Sequence, residues 1–401
     1  MSSLLLDNTT VNEYLKGISI QNKHTSAVYG YRLVSFDRYV NQTYNLTLDQ
    51  LITTMTQMGH GPRVDVYQLL SGYVEYLKDN VTTVPLTIKH YLSTVRNYLE
   101  SFDITILPHK FKRKVRTPRV VRTEKEALAK EDIRTILEAA RSIRQKTYLL
   151  FLSSTGCRAQ ESLSIREMDI NWKKDPVTIF IRGEHTKTSV SRNIMITSEM
   201  AAAIKAMLQY KYRTRHVHHY DKNGRSINEI RTPKPNQELL IFSSNSYQNP
   251  TIEGLYNECI TQFEELLSRL GGKFAERENG EKTHRKITLH SLRRHVYSVV
   301  SDLGYNQFAD KYMLGHSYDV STYYRKPEKE RIEIFRKIEP YLTFLNQTDL
   351  ETRHKDTESR LEMMERENRE LQNKQKLSTE KYSKIFERIE MLEKKLQKKA
   401  K

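Results

Sequence analysis

Apolar residues between positions 10 and 105 recur at helical spacing. In "TSAVYGYRLVSFDRYVNQ", Val28, Tyr31, Leu33, Phe36 and Tyr39 fall near one stripe of a helix. "VDVYQLLSGYVEYLKD" and "TIKHYLSTVRNYLESF" repeat the pattern, and Pro85 marks the break between them. The spacing predicts a small all-helical domain of four or five helices. Past Lys130, "KEDIRTILEAARS" and "KTYLLFLSSTG" again read as helices, the second apolar enough to be buried. The period then drops to two. In "VTIFIRGEHTKTSVSRNIMIT", Val177, Ile179 and Ile181 alternate with their neighbours, as do Ile194 and Ile196, which predicts two strands joined by a polar turn. Helices are expected near 199–213, 252–270 and 289–303. Between the first two, "RTRHVHHYDKNGRSINEIRTPKP" is polar and holds Gly and Pro, so an exposed loop is expected there.

From Leu350 onward the chain is charged, helix-favouring and free of Gly and Pro. A heptad fits it. Leu361, Asn368, Gln375, Tyr382, Ile389 and Leu396 occupy a; Met364, Leu371, Ser378, Ile385, Leu392 and Lys399 occupy d. The seam is apolar at both ends and polar in the middle, which predicts a short self-associating coiled coil. The expected fold is mainly α with a small antiparallel β-sheet. A helical domain spans 1–107, a basic linker 108–125, a mixed α/β domain 126–345 and a coiled-coil tail 346–401.

Charge narrows the function. The chain of 401 residues has 66 Lys and Arg against 49 Asp and Glu, a formal charge of +17. Such a surplus favours a polyanionic partner, because each phosphate neutralised releases condensed counterions. The surplus concentrates in "LPHKFKRKVRTPRVVRTEK". Lys110, Lys112, Arg113, Lys114, Arg116, Arg119, Arg122 and Lys125 crowd this stretch, and Pro108 and Pro118 interrupt it. It reads as an extended linker whose cations contact a nucleic-acid backbone. Cys157 and Cys259 lie too far apart for a zinc pattern or a disulfide framework, which fits a reducing compartment. His216, His218 and His219 lack a cysteine or acid at ligand spacing, so no metal site and no cofactor are expected. No apolar run reaches the length of a membrane span and no secretory leader is evident. A cytoplasmic protein, associated with the nucleoid when on DNA, is expected.

Four short motifs carry candidate chemistry. "TGCRAQE" offers Arg158 after a glycine turn, with Glu161 three residues on. "HTKTS" offers Lys187 in the turn between strands. "LHSLRRH" offers His290 and Arg293 on one helix face. "LGHSYDVSTYYRK" offers His316 ahead of Tyr323 and Tyr324. Each motif alone is common; all four, in one domain, form a set. Two guanidiniums can clamp the non-bridging oxygens of a phosphodiester and follow its charge into a pentacoordinate transition state. Imidazoles can donate hydrogen bonds and move protons near neutral pH. A lysine can protonate a leaving oxygen. A tyrosine hydroxyl surrounded by cations becomes a better nucleophile. The arginines supply the positive charge that a metal would otherwise bring, and no ATP is needed if the phosphodiester energy is kept in a phosphotyrosine.

At these residues the chain resembles the tyrosine recombinase, or phage-type integrase, family. "TGCRAQE" resembles the family's first-arginine motif, with "REMDI" after it, "TKT" its strand-turn lysine, "HSLRRH" its HxxR box and "LGHS…YYR" its final box. The resemblance covers about 125–345. It implies a catalytic domain at 126–345 behind a helical DNA-gripping, core-binding domain. It implies that Arg158 and Arg293 bind the scissile phosphate and that Lys187 protonates the 5′-hydroxyl. His290 and His316 then assist proton transfer, and a tyrosine forms a 3′-phosphotyrosyl bond. Many members place that tyrosine one position further from the histidine than Tyr324 stands here. Tyr324 is the nearer match and Tyr323 the alternative. The resemblance also implies double-stranded DNA as partner, a tetramer on DNA, an accessory DNA-bending protein, and a source in a virus or other mobile element. The amphipathic segment "PEKERIEIFRKIEPYLTFL" either covers its own domain or docks on a neighbouring protomer. Two other readings remain open: a type IB-like topoisomerase, and a noncatalytic architectural DNA-binding factor.

Overall fold

The computed structural model describes residues 8–56, 64–82, 84–120, 127–220, 226–244, 247–277, 285–316 and 325–345, with the backbone alone at 215–220 and 226–229. The chain divides into two compact units, Met1–Glu124 and Lys125–Lys401.

The first unit is helical: α1 (Thr9–Gln21), α2 (Lys23–Tyr44), α3 (Leu48–Thr56), α4 (Val66–Asn80), α5 (Pro85–Glu100) and α6 (Pro108–Lys114). Local chemistry sets several starts. The Asn22 side chain accepts from the Thr25 N–H, and Asp65 accepts from Tyr67 and Gln68. Each cap of this kind contributes about 1 kcal/mol. Pro85 begins α5, where its missing N–H costs nothing. The core is rich in aromatics: Leu33, Phe36, Leu69, Tyr73, Ile88, Val95 and Tyr98 are fully enclosed. Phe36 and Tyr73 meet edge to face with ring centroids 5.0 Å apart. The buried side of α2 runs through Ser26, Gly30, Leu33, Phe36 and Val40. Tyr31, placed on that stripe by sequence, points away and is 73 % exposed.

The basic stretch differs from the expected extended linker at its start. Pro108 occupies the first turn of α6, so a residue read as a breaker initiates a helix. Phe111 packs on the core of the first unit, under the Arg96 guanidinium at 4.5 Å from the ring centre, and Val115 is buried there. Lys110, Lys112, Arg113, Lys114, Arg116 and Arg119 stay exposed. Arg122 lies outside the described residues.

The second unit opens with α7 (Lys130–Glu138), α8 (Ile143–Thr155) and α9 (Ala159–Leu163). Tyr148, Leu149, Leu150, Phe151 and Leu152 are all buried, so α8 is enclosed on every side. It touches α10 (Ser198–Lys211) and α13 (Leu289–Asp302). Burial of each large apolar side chain contributes about 1.5–3 kcal/mol, which makes α8 a rigid floor. An antiparallel sheet of order β1-β2-β3 comprises β1 (Ile170–Asn171), β2 (Thr178–Ile181) and β3 (Arg192–Met195). Ile179 pairs with Ile194, and both face the core, while Phe180 between the inward isoleucines is 40 % exposed. The stretch expected to be a loop instead forms a hairpin, β4 (Arg215–Tyr220) with β5 (Ser226–Arg231), in register from Arg215↔Arg231 to Tyr220↔Ser226. Backbone pairing makes that ladder, so a polar sequence does not forbid it. α11 (Ile252–Leu270) and the short α12 (Gly272–Ala275) precede α13.

After α13, a short α14 (Asn306–Phe308) runs into a π-helical turn, Ala309–Leu314. Val296, Val300, Phe308, Met313, Phe335, Ile338 and Leu342 form a satellite core beneath it. The helix Glu328–Ile338 therefore spends its apolar side within its own unit. The heptad expectation at 346–401 lies outside the described residues.

Candidate active site

The site is assembled where α8 ends. Gly156 takes the left-handed conformation, φ +68°, and closes α8 with its N–H on Leu152 O. A Cβ here would stand 2.7 Å from Leu314 Cδ2, so glycine also permits the π-helical turn to approach. Arg158 follows as the N-cap of α9, and its backbone N–H donates to Glu161 Oε1 at 2.7 Å. That bond turns the Glu161 carboxylate inward, to 1 % exposure.

Glu161 is shared by three guanidiniums. Arg192 Nη2 lies 2.7 Å away, Arg158 Nη1 3.5 Å and Arg293 Nη1 3.9 Å. A buried carboxylate among arginines offsets part of their mutual repulsion and holds them in place. Arg158 Nη1 is buried, with this ion-pair contact and no hydrogen bond among the described residues. Arg293, 4 % exposed on α13, donates to Gly156 O at 2.6 Å and to Leu314 O at 3.1 Å. Burial first, and then the charge of Arg158, pull its pKa down to about 10, so it stays protonated at neutral pH. Its Nη2 also meets His316 Nε2 at 2.9 Å.

His290 stands one turn before Arg293 on the same helix. Burial, then Arg293, Arg294, Arg158 and His316, lower its pKa below the ordinary histidine value. The lowered pKa favours the neutral ring, which can accept a proton. His290, Arg293, Arg294, Tyr297, Asp310, Leu314 and His316 line a cleft of about 320 Å³. A larger hollow, about 630 Å³, lies elsewhere in this unit, lined by Lys326, Glu330, Glu333 and Lys337 among others. Its lysines are matched by glutamates, so the smaller, arginine-rich cleft is the better seat for an anion.

The structure thus brings Arg158, His290, Arg293 and His316 together. Lys187 is exposed in the β2–β3 turn. Its neighbour Thr188 donates to Gly315 O at 3.5 Å, which sets the turn beside the His316 segment. Tyr323 and Tyr324 lie outside the described residues. The sequence reading missed Arg192, Arg294, Tyr297 and Asp310. Strand alternation held a signal for Arg192, which points the same way as the buried Ile194 and Ile196. Asp310 left no local signal, because its partner is set by a turn. No group of His, Cys, Asp or Glu suited to a metal occurs among the described residues. None of their helices is long and apolar enough to cross a membrane.

Residues 126–331 match the phage integrase family. The chain belongs to that family. Tyrosine recombinase XerA of Saccharolobus solfataricus is 28 % identical over 126 residues, 31 % of this chain. The chain spans about 40 % of the length of that curated relative. Among solved structures, a lambda integrase dimer bound to a COC′ core site is similar with a TM-score of 0.50 and 13 % identity. That match covers 79 % of this chain and 76 % of the other and supports the shared fold. XerH recombinase bound to difH substrate, in a pre-cleavage complex, gives 0.48 at 17 % identity, over 80 % of this chain and 82 % of that one.

Proposed function

We propose that this phage integrase family member is a site-specific DNA recombinase that cuts and rejoins DNA through a covalent 3′-phosphotyrosyl intermediate. The observation that carries the reading is the cleft in which Arg293, His290 and His316 converge, with Glu161 holding Arg158 and Arg293 on one carboxylate. A phosphodiester seated there takes hydrogen bonds from Arg158 and Arg293. Their charge is fixed before substrate arrives, so little reorganisation is needed as charge builds on the equatorial oxygens. His290, as the neutral ring, takes up the phenol proton as Tyr324 attacks phosphorus. Lys187, on its exposed turn beside Gly315, protonates the 5′-oxygen as the P–O bond breaks. Resealing reverses these steps with a different 5′-hydroxyl, so neither ATP nor a metal enters.

Double-stranded DNA is the substrate. The exposed cations of α6 and the residues after it supply sequence-independent grip on its backbone. We also assign the active form as a homotetramer on DNA, held in part by a coiled coil at 346–401, with a DNA-bending protein as accessory. The test is a suicide substrate nicked beside the target site. A recombinase traps covalently and joins two distinct sites. A topoisomerase traps without joining, and an architectural factor binds without trapping; either result overturns the reading. Deleting 346–401 is expected to weaken assembly more than single-site cleavage, measured by light scattering beside the trapping assay.

A further inference from the structure

His316 is held at both ring nitrogens. Nε2 lies 2.9 Å from Arg293 Nη2, and Nδ1 lies 2.8 Å from Asp310 Oδ1. A guanidinium only donates, so Nε2 is the acceptor of that contact. Nδ1 then carries the hydrogen and donates it to the Asp310 carboxylate. The backbone repeats the grip: the His316 N–H donates to Asp310 O at 2.8 Å. Residues six apart do not meet on a regular helix. They meet here because the chain widens into the π-helical turn Ala309–Leu314 and then reverses at Gly315, φ +65°. A Cβ at Gly315 would lie 2.7 Å from Arg192 Nη1, so the reversal is wedged against the arginine cluster.

We infer that Asp310 is a positioning residue that fixes the tautomer and orientation of His316, so that Nε2 faces the scissile phosphate. The inference rests on the function proposed above and extends it to a residue that the sequence motifs do not include. Among the described residues lining the cleft, Asp310 is the one carboxylate, beside the basic groups Arg293, Arg294, His290 and His316. A carboxylate bare in a phosphate site would repel the substrate. Bonded to Nδ1, it instead stabilises the ring when Nε2 gains a proton. A phosphodiester competes with Nε2 only for the Arg293 Nη2 hydrogen that faces it, while the bonds to Gly156 O and Leu314 O keep the guanidinium in place and Nε2 stays aimed at the cleft. A proton arriving there makes an imidazolium whose other end remains on Asp310, which offsets repulsion from the arginines.

Two measurements test this on the full chain. The first needs no DNA: ¹⁵N spectra of the histidine-labelled protein, with the His316 signals assigned by loss in His316→Gln. The wild type should show a protonated Nδ1 and an unprotonated Nε2 at neutral pH. Asp310→Ala should move the ring toward a mixture of tautomers. The second is a double-mutant cycle on single-turnover cleavage of the nicked substrate. Asp310→Ala should slow cleavage about tenfold, below the 10²–10⁴ that a complete general acid–base group contributes. DNA affinity should be unchanged. Asp310→Asn, which keeps the shape and an acceptor oxygen, should recover part of the rate. In the His316→Gln background Asp310→Ala should cost nothing further. A wild-type ring protonated at Nε2 overturns the inference, and so does an equal cost of Asp310→Ala in both backgrounds. If the wild type fails to cleave any DNA, the proposed function fails, while the spectra still decide the role of Asp310.

Discussion

The first unit and the cleft of the second both concentrate positive charge, and they do so in opposite ways. On α6 and the residues after it, Lys110, Lys112, Arg113, Arg116 and Arg119 are exposed and free to follow any phosphate backbone. Among the described residues, Lys114 has a carboxylate near, Asp65 at 3.6 Å. At and behind the cleft, the side chains of Arg293 and Arg192 are almost wholly buried, and Glu161 with backbone carbonyls dictates where each guanidinium points. Mobile surface charge supplies affinity that salt screens. Fixed, dehydrated charge supplies little affinity, and instead favours one arrangement of atoms over another. Under the proposed function, one chain thus separates holding DNA from acting on it.

The largest way to break this comparison is Tyr324→Phe. It should abolish covalent capture on a gel while a filter-binding curve stays in place; capture by that variant would transfer the attack to Tyr323. Next is Arg293→Ala, expected to slow cleavage by about 10²–10³, the scale of losing one charge-stabilising donor. DNA affinity should change little, and near-normal cleavage would remove Arg293 from the reaction. Glu161→Ala should act on stability instead. Removing one partner of a buried ion pair costs about 3–5 kcal/mol, read as a lower urea midpoint of the second unit. An unchanged midpoint would mean that the three arginines hold themselves.

Acid should separate the units more gently. His295 is buried and His290 is exposed at the cleft, and loss of hydration is the chief cause that lowers the pKa of each. A histidine with a lowered folded pKa takes its proton more readily once unfolded, so the unfolded state gains protons first as pH drops below about 6.5. Stability of the second unit should therefore decline from neutrality toward pH 5, and His295→Gln should flatten that decline in thermal melts. The smallest effect belongs to α6. Lys112→Ala should lower the slope of log affinity against log salt by about 0.9 if it neutralises one phosphate, and leave the cleavage rate of bound substrate alone. A loss of cleavage with no change in slope would place it in the cleft's account rather than the surface's.

Much of this was legible because it is local. The alternation of Ile179, Ile181, Ile194 and Ile196 is a property of strands with one buried face, and it located β2 and β3. The spacing of His290 and Arg293 follows from the pitch of α13. What was lost is tertiary. Arg192 reaches Glu161 across 31 positions and Met313 O across 121, and no periodicity encodes such reach. The sequence predicts a loop at the polar hairpin β4–β5 because its ladder is made by backbone, which composition does not report. The sequence predicts an extended segment at α6 because Pro108 looks like a break, whereas the first turn of a helix accepts it.

Cys157 sits directly beneath the arginine cluster, 1 % exposed, and burial raises its thiol pKa. In the native fold it is both shielded and poorly ionised, and so inert to alkylating reagents. Its rate of labelling therefore reports how often the floor of the cleft comes apart. The molecule carries its own built-in gauge of breathing, next to the atoms whose rigidity matters most.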